Sequence, residues 1–314
     1  MISVVIPIYN EEATLAALFA RLSSALSEAK DEYEIVAVDD GSTDESYAAL
    51  AALAKRDPHI HTIRFAYNAG QTAALAAGIA AARGDTIVTI DSDLENDPAD
   101  IPRLLAKKAE GYDVVSGWRQ GRWQGAYFSR KLPSQVANRL IAALTGVPLH
   151  DFGCTLKAYD AAIIKGIPLY GEMHRFIPAY AAWRGARIAE VPVSHSPRVA
   201  GTSKYGFGRT FRVLLDLVLL VFLKKYMNRP MHFFGSWGLV SLALGFIAGI
   251  AAIVLRLIGF ASLIQTPLPT LAALFIIVGI QFVLFGIIAE ILMRTYYESQ
   301  GARPYAIRES SRHT

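Results

Sequence analysis

The stretch Thr89–Pro98, TIDSDLENDP, puts four carboxylates (Asp91, Asp93, Glu95 and Asp97) into seven residues, after an apolar run and before a proline. Like charges this close repel, and burial at a strand end makes the repulsion worse. Two chemistries relieve it. One is local: an acidic loop that caps the next helix, for which Asp97 before Pro98, with Asp100 following, has the right spacing. The other is a divalent cation. Asp91 and Asp93, two apart just past a strand, can converge on one ion if the chain turns there. Hard oxygen ligands suit Mg²⁺ or Mn²⁺, and Mg²⁺ shares its coordination sphere with substrate phosphates. Glu95 fits either reading, and a D-x-D pair alone does not decide between them.

A second cluster, VDDGSTD at Val38–Asp44, ends another apolar run with Asp39 and Asp40. Gly41 permits a tight turn, and Ser42, Thr43 or Asp44 can cap the helix beyond. A carboxylate here can also accept hydrogen bonds from a nucleobase N–H or from ribose hydroxyls. A turn and cap with no ligand is the plainer alternative.

These clusters need elements to hold them. Val/Ile-rich runs recur at Ile2–Ile6, Glu34–Val38, His61–Phe65, Thr86–Ile90 and Val114–Val115. Helical spacing of Ala and Leu fills Leu15–Leu26, Tyr47–Leu53 and Thr72–Ala82 between them. Strand and helix in alternation predict βαβ units and a mostly parallel sheet covered on both faces. In such sheets ligands bind beyond the carboxyl ends of the strands. PIYNEE, DDGSTD, YNAGQT and DSDLEND fall at four such ends, so one edge is expected to carry one site.

The remainder of the chain differs. Of 314 residues, 53% are hydrophobic, and the excess lies after Phe211. Phe233–Leu255 and Leu268–Ala289 contain no charged residue, and each is long enough to cross a bilayer. The link Ile258–Pro267, with Gly259, reads as a tight hairpin. Lys224, Lys225 and Arg229 precede the first span; Arg294, Arg303, Arg308 and Arg312 follow the second. The positive-inside rule then predicts both termini in the cytoplasm, with Arg256 snorkelling at the far side. Gly208–Pro230, basic residues around a Leu/Val-rich body, is expected to lie on the membrane surface as an amphipathic helix; a helix packed on the soluble domain is the alternative. The expected division is 1–207, an α/β catalytic domain; 208–230, the juxtamembrane helix; and 231–314, the hairpin with its tail. Gly235, Gly245 and Gly249 sit on small-residue faces suited to packing within one chain or in a homo-oligomer.

The net charge of +4 is too small to argue for a nucleic-acid partner, and none is expected. The single cysteine, Cys154, excludes an intramolecular disulfide. MISVVIPIYNEE lacks a basic region and a long apolar core, so no signal peptide is expected there. His59, His61, His150 and His195 show no metal-ligand spacing.

In this order, VVIPIYNEE (Val4–Glu12), VDDGSTD, NAGQTAALAAG (Asn68–Gly78) and DSDLENDP resemble the family 2 glycosyltransferases of GT-A fold, a Rossmann-like, mostly parallel architecture. DFGCTLKAYD (Asp151–Asp160), SPRVAGTSKYG (Ser196–Gly206) and the two spans narrow the likeness to the polyprenyl-phosphate branch, similar to dolichol-phosphate mannose synthases and bacterial undecaprenyl-phosphate glycosyltransferases. The resemblance implies a nucleotide-sugar donor and an isoprenoid phosphate acceptor at the cytoplasmic membrane face. It assigns Pro7, Tyr9, Asn10, Glu12, Asp39, Asp40 and Gly70 to the nucleotide-sugar. Asp91 and Asp93 inherit the metal on the donor diphosphate, with Glu95 as third ligand where many relatives have Gln. Asp151 becomes a catalytic or acceptor-positioning residue. Arg119, Arg130, Arg198 and Lys204 are expected near phosphates; ordinary membrane-surface basicity is the alternative for the last two.

The chemistry is consistent with that set. A departing nucleoside diphosphate needs cations to stabilise its growing charge. An acceptor phosphate is already anionic, so Asp151 is as plausible in orienting it as in acting as a base. Two spans favour a UDP donor by analogy with the bacterial enzymes, with GDP-mannose and dolichyl phosphate as the alternative pair. Arg122 and Trp123 lie in a Gly-flanked loop, and His174 and Arg175 either line the acceptor side or pack a helix end. Two competitors predict other features. A processive polysaccharide synthase would carry a Q-x-x-R-W element, which is absent from the sequence. A membrane-anchored nucleotide-binding protein without catalysis would not need both D-x-D aspartates.

Overall fold

The computed structural model describes residues 1–28, 31–120, 132–167, 173–196, 229–260 and 262–300, with isolated positions at 169, 171, 219, 222, 223, 225 and 226. The chain divides into two compact units, Met1–Leu217 and Val218–Thr314.

In the first unit the alternation of apolar runs becomes seven strands: β1 (Ile2–Ile8), β2 (Tyr33–Asp39), β3 (Ile60–Arg64), β4 (Thr86–Thr89), β5 (Val114–Trp118), β6 (Lys157–Asp160) and β7 (Ile188–Pro192). They form one sheet in the order β3-β2-β1-β4-β6-β5-β7. All neighbours run parallel except β6, which is antiparallel to both β4 and β5. Successive residues of β1 serve opposite faces, as a pleated strand requires. Val4, Ile6 and Ile8 pack with Leu15, Leu18 and Leu22 of α1 (Glu12–Glu28), Leu50 of α2 (Ser46–Ala54) and Leu104 of α4 (Ile101–Ala109). Val5 instead meets Leu75 and Ile79 of α3 (Gln71–Ala81), on the face that also carries α6 (Ala161–Ile164) and α7 (Ile177–Trp183). Helix α5 (Leu132–Thr145) follows β5 in chain order.

The first four strands and three helices match the sequence expectation to within a few residues. β6 and β7 were not expected. β6 reads as polar, KAYD, yet Lys157 and Tyr159 are buried. β7, IAEVP, is a half-exposed edge strand that carries Glu190, the kind of charged edge that blunts further pairing.

The order reverses between β1 and β4: β2 and β3 extend to one side of β1, β4 to the other. The crevice beyond their carboxyl ends is therefore the predicted ligand position.

The second unit holds α8 (Pro230–Leu257) and α9 (Leu268–Gln300), joined through Gly259 with φ of +72°. Both helices are long and apolar enough to cross a membrane, and only 22% and 17% of their most apolar stretches are buried. That separates them from soluble core helices, which hide their apolar faces. Phe246, Ile250, Leu274 and Ile288 are exposed. The buried seam uses small residues, as helix pairs in lipid do. A Cβ on Gly245 would lie 2.8 Å from the Ile276 side chain, and one on Gly279 would lie 2.9 Å from the Gly238 carbonyl. Ser241 Oγ donates to Phe275 O at 2.8 Å. Gly245 thus packs within the chain, whereas Gly235 meets Met231 of its own helix and Gly249 makes only an ordinary contact with Ala272. The amphipathic helix expected over 208–230 falls almost wholly outside the described residues.

Candidate functional site

At the β1/β4 crevice lies a cleft of about 320 Å³. Pro7, Tyr9 and Glu11 line it from β1, Asp40 from β2, Asn68, Gly70 and Gln71 from the start of α3, and Asp91, Ser92 and Asp93 from β4. Four loops distant in sequence thus share one cavity, as the polar clusters predicted.

The residues expected to hold the nucleotide-sugar divide by what they touch. Asp40 accepts from Ala69 N at 2.7 Å and Gly70 N at 2.9 Å. It therefore shapes the loop before α3 while lining the cleft. Burial raises its pKa; the two backbone N–H bonds oppose this, and Asp39 adds to it. Gly41 is indispensable to the same corner: its φ is +67°, and a Cβ would stand 2.5 Å from the Tyr67 carbonyl carbon. Asn10, itself at φ 55°, receives Thr43 N on Oδ1 at 2.8 Å and donates from Nδ2 to Thr43 Oγ1. Glu12 Oε2 accepts from Glu45 N at 3.0 Å. Asn10 and Glu12 therefore stitch the first loop to the second. Asp39 is different. It is fully buried, and neither carboxylate oxygen has a hydrogen-bond partner among the described residues. Arg64 Nε stands 3.6 Å from it, and that guanidinium lies over the Tyr47 ring. A buried carboxylate left so is poised to accept.

The crowded carboxylates after β4 fall into two groups. Asp97 and Asp100 act locally: Asp97 caps the short 3₁₀ turn at Pro98, and Asp100 accepts from Ser194 N at 2.6 Å and pairs with Arg103. Asp91 and Asp93 face the cleft. The intervening loop is held by Thr14 Oγ1, which donates to Ser92 O, and by Leu94 in the left-handed region at φ 59°. A buried leucine held there is strained by about 1–2 kcal/mol, a cost that clusters at functional turns. Asp91 Oδ1 accepts from Gln71 Nε2 at 2.7 Å. Burial, and then the Asp93 charge, push the Asp91 carboxyl up to about 7, against a Thr155 hydrogen bond and the Arg119 charge.

A divalent cation would reverse that repulsion. Among the described residues no three His, Cys, Asp or Glu side chains gather as a cation site of their own. Glu95 turns instead toward Arg119, 3.8 Å away. The pair that faces the cleft is Asp91 and Asp93. It fits Mg²⁺ or Mn²⁺, which complete their spheres with phosphate oxygens and water.

Beside this pair lies a buried ion pair. Arg119 donates from Nε and Nη2 to the two oxygens of Asp151 at 2.8 and 3.1 Å. Two fixed N–H donors facing two oxygens make the strong bidentate geometry. Asp151 also accepts from Gly153 N, and Glu190 of β7 takes the N–H groups of His150 and Asp151. Sequence reasoning placed Arg119 and Asp151 in one site without pairing them. It overlooked Gln71, Thr155, Lys157 and Glu190, whose partners are set by tertiary contacts, although Lys157 and Thr155 lay within a segment already singled out. His174 packs a helix end: its Nδ1 is 2.7 Å from Thr72 Oγ1, and burial pushes its pKa down to about 3. Arg122, Trp123, Arg130, Arg198 and Lys204 lie outside the described residues.

The fold and this edge site define an α/β protein of nucleotide-binding type. The chain is similar to the crystal structure of glucosyl-3-phosphoglycerate synthase from Mycobacterium tuberculosis in complex with Mn²⁺ and UDP-glucose. The TM-score is 0.54 at 22% identity, over 70% of this chain and 78% of that one, a likeness of fold. The chain belongs to glycosyl transferase family 2, whose model matches residues 3–167. It is 42% identical, over 98% of its length and 92% of the relative's, to the dodecaprenyl-phosphate galacturonate synthase of Rhizobium johnstonii. It is 38% identical, over 96% and 91% of the two chains, to the undecaprenyl-phosphate 4-deoxy-4-formamido-L-arabinose transferase of Klebsiella pneumoniae.

Proposed function

We propose that this chain is an inverting glycosyltransferase that uses Mg²⁺ or Mn²⁺ to move a sugar from a UDP-sugar to a polyprenyl phosphate at the cytoplasmic face of a membrane. The observation that carries this reading is the convergence of Asp91 and Asp93 with the Asp40–Gly70 corner on one cleft at the β1/β4 crevice. Relatives that share nearly the whole chain, apolar helices included, are transferases named for polyprenyl-phosphate acceptors or products.

Asp40, which lines the cleft, is suited to face the nucleoside, and Pro7 and Tyr9 to flank the base, with Asp39 buried next to Asp40 in the chain. Asp91 and Asp93 would hold the cation against the diphosphate. Bound there, the cation neutralises charge on the departing diphosphate. An acceptor phosphate oxygen forms the new bond to the anomeric carbon as the bond to the UDP oxygen breaks, and the electron pair leaves with UDP. That oxygen is anionic already, so no proton has to move. Asp151, engaged by three N–H groups, orients Arg119 and the acceptor rather than serving as a base. Arg130, Arg198 and Lys204 would complete the phosphate contacts, and Glu95 the cation's outer surroundings.

We assign 1–207 to catalysis, 208–230 to a helix on the membrane surface and 231–314 to a two-span hairpin with both termini cytoplasmic. The basic flanks of the spans support that sidedness. Helix α5 supports apposition to lipid, since Val136, Leu140 and Leu144 form an exposed stripe at four-residue spacing.

The test is release of the nucleoside diphosphate (UDP or GDP) by purified protein with Mn²⁺, undecaprenyl phosphate and a panel of UDP-galacturonate, UDP-4-deoxy-4-formamido-L-arabinose, UDP-glucose and GDP-mannose. Lipid-dependent release from one UDP-sugar is expected. Release from GDP-mannose alone would reverse the donor assignment, and release that ignores lipid would remove the acceptor.

A further inference from the structure

Asp91 also lines a second, small pocket of about 10 Å³, roughly room for one water. Lys157 of β6 lines it together with Asp91, Thr155, His174 and Arg175. The Lys157 side chain is only 2% exposed as part of its residue, which is rare for a lysine. Its register explains the position. Lys157 sits opposite Thr89 of β4 and Ser116 of β5, so it stands between the strand that delivers Asp91 and the one that leads to Arg119. Its Nζ donates to the carbonyl of Phe152, at 3.3 Å, and to that of Cys154. These belong to the loop that begins at Asp151.

That loop is fixed from two sides. Glu190 accepts from the N–H groups of His150 and Asp151, and Lys157 Nζ donates to the carbonyls of Phe152 and Cys154. Beyond it, Thr89 Oγ1 donates to Thr155 O, and Asn96 Nδ2 to Thr155 Oγ1. Thr155 and Asp91 line the same small pocket as Lys157. One ammonium thus underlies both the cation-side carboxylate and the acceptor-side ion pair. Its charge feels Asp151 and Asp91, which oppose the lowering of its pKa by burial.

We propose that Lys157 is a positioning residue for transfer: its buried ammonium holds the Asp151–Thr155 loop against the D-x-D segment and so sets the distance between acceptor and donor. The functional part of this rests on the glycosyltransferase reading above; the structural part does not. Catalysis is sensitive to such placement, because a shift of about 1 Å in a reacting group costs on the order of a hundredfold in rate.

The experiment compares the full-length wild type with Lys157→Met and Lys157→Arg in detergent with Mn²⁺. Three quantities are read: UDP affinity by calorimetry, kcat and KM for undecaprenyl phosphate with the active donor of the panel, and amide hydrogen exchange of residues 150–156. Lys157→Met is expected to lower kcat about a hundredfold and to speed exchange of that loop, with UDP affinity within about threefold of wild type. Lys157→Arg, which keeps the charge and the donors, is expected to recover most of kcat. Unchanged exchange in Lys157→Met overturns the proposal whatever the chain transfers. Equal loss of kcat and UDP binding in both variants also overturns it, because that marks a role in the fold alone. A wild type without transfer activity sinks the transferase reading instead, and exchange still decides what Lys157 holds.

Discussion

Asp91 keeps its proton to about 7 because burial and then Asp93 oppose its charge. A cation entering the pair must displace that proton, so the Mn²⁺ dissociation constant should weaken about tenfold per pH unit below about 7 and level off above it. Titrations from pH 5.5 to 8.5 check this, and a flat profile contradicts it. The sign for stability follows: a raised carboxyl costs the metal-free fold nothing below its ordinary 3.8 and progressively more as pH rises through about 7. Asp93→Ala should cut transfer at least about a hundredfold, the scale of losing one charge-stabilising group, and leave the fold intact. Arg119→Met strands the buried Asp151 charge and should cost about 3–5 kcal/mol in denaturant unfolding, with Asp151→Leu recovering part of the loss in the double variant. Of this site, the D-x-D pair and the other strand-end clusters were legible, since four polar clusters after apolar runs fall at one edge of a mostly parallel sheet. The Arg119–Asp151 pair was not. Its partners lie 32 residues apart and meet only because β5 and β6 are neighbours.

The elements were read where pattern and burial agree. β1, β2 and α1 are continuous or periodic in apolar residues because two layers cover the sheet. β6 escaped because Lys157 is buried by local hydrogen bonding, which no hydropathy pattern marks. Helix ends offer two tests. His174 stays neutral to about pH 3 while an unfolded histidine protonates near its ordinary 6.5. The fold should therefore lose stability as pH falls below 6.5, and His174→Gln should flatten that slope in acid unfolding. In α3, Gly78 lies so close to β1 that an added Cβ would stand 2.4 Å from Val5 Cγ1. Gly78→Val should cost about 1–3 kcal/mol through overpacking, read from the denaturation midpoint.

At the scale of the whole molecule, the change in composition after Phe211 foretold a chain of two characters, and the helices Pro230–Leu257 and Leu268–Gln300 match it. Pattern reading named one glycine of the seam between them, Gly245; Gly238 and Gly279 share it, whereas Gly235 and Gly249 make no close contact across it. If the hairpin presents the catalytic unit to its lipid, deleting residues from Phe233 onward should lower turnover of undecaprenyl phosphate about tenfold more than turnover of a short-chain prenyl phosphate. Equal losses on both would separate the hairpin from acceptor use.

The most direct test of the central claim remains lipid-dependent release of UDP. Wild type and Asp91→Ala/Asp93→Ala are given one UDP-sugar with Mn²⁺, with and without undecaprenyl phosphate. The account predicts release by the wild type only when lipid is present, formation of the sugar-bearing lipid in equal amount, and loss of both in the variant. Lipid-dependent transfer that persists in the variant, or with all divalent metal chelated, would contradict it.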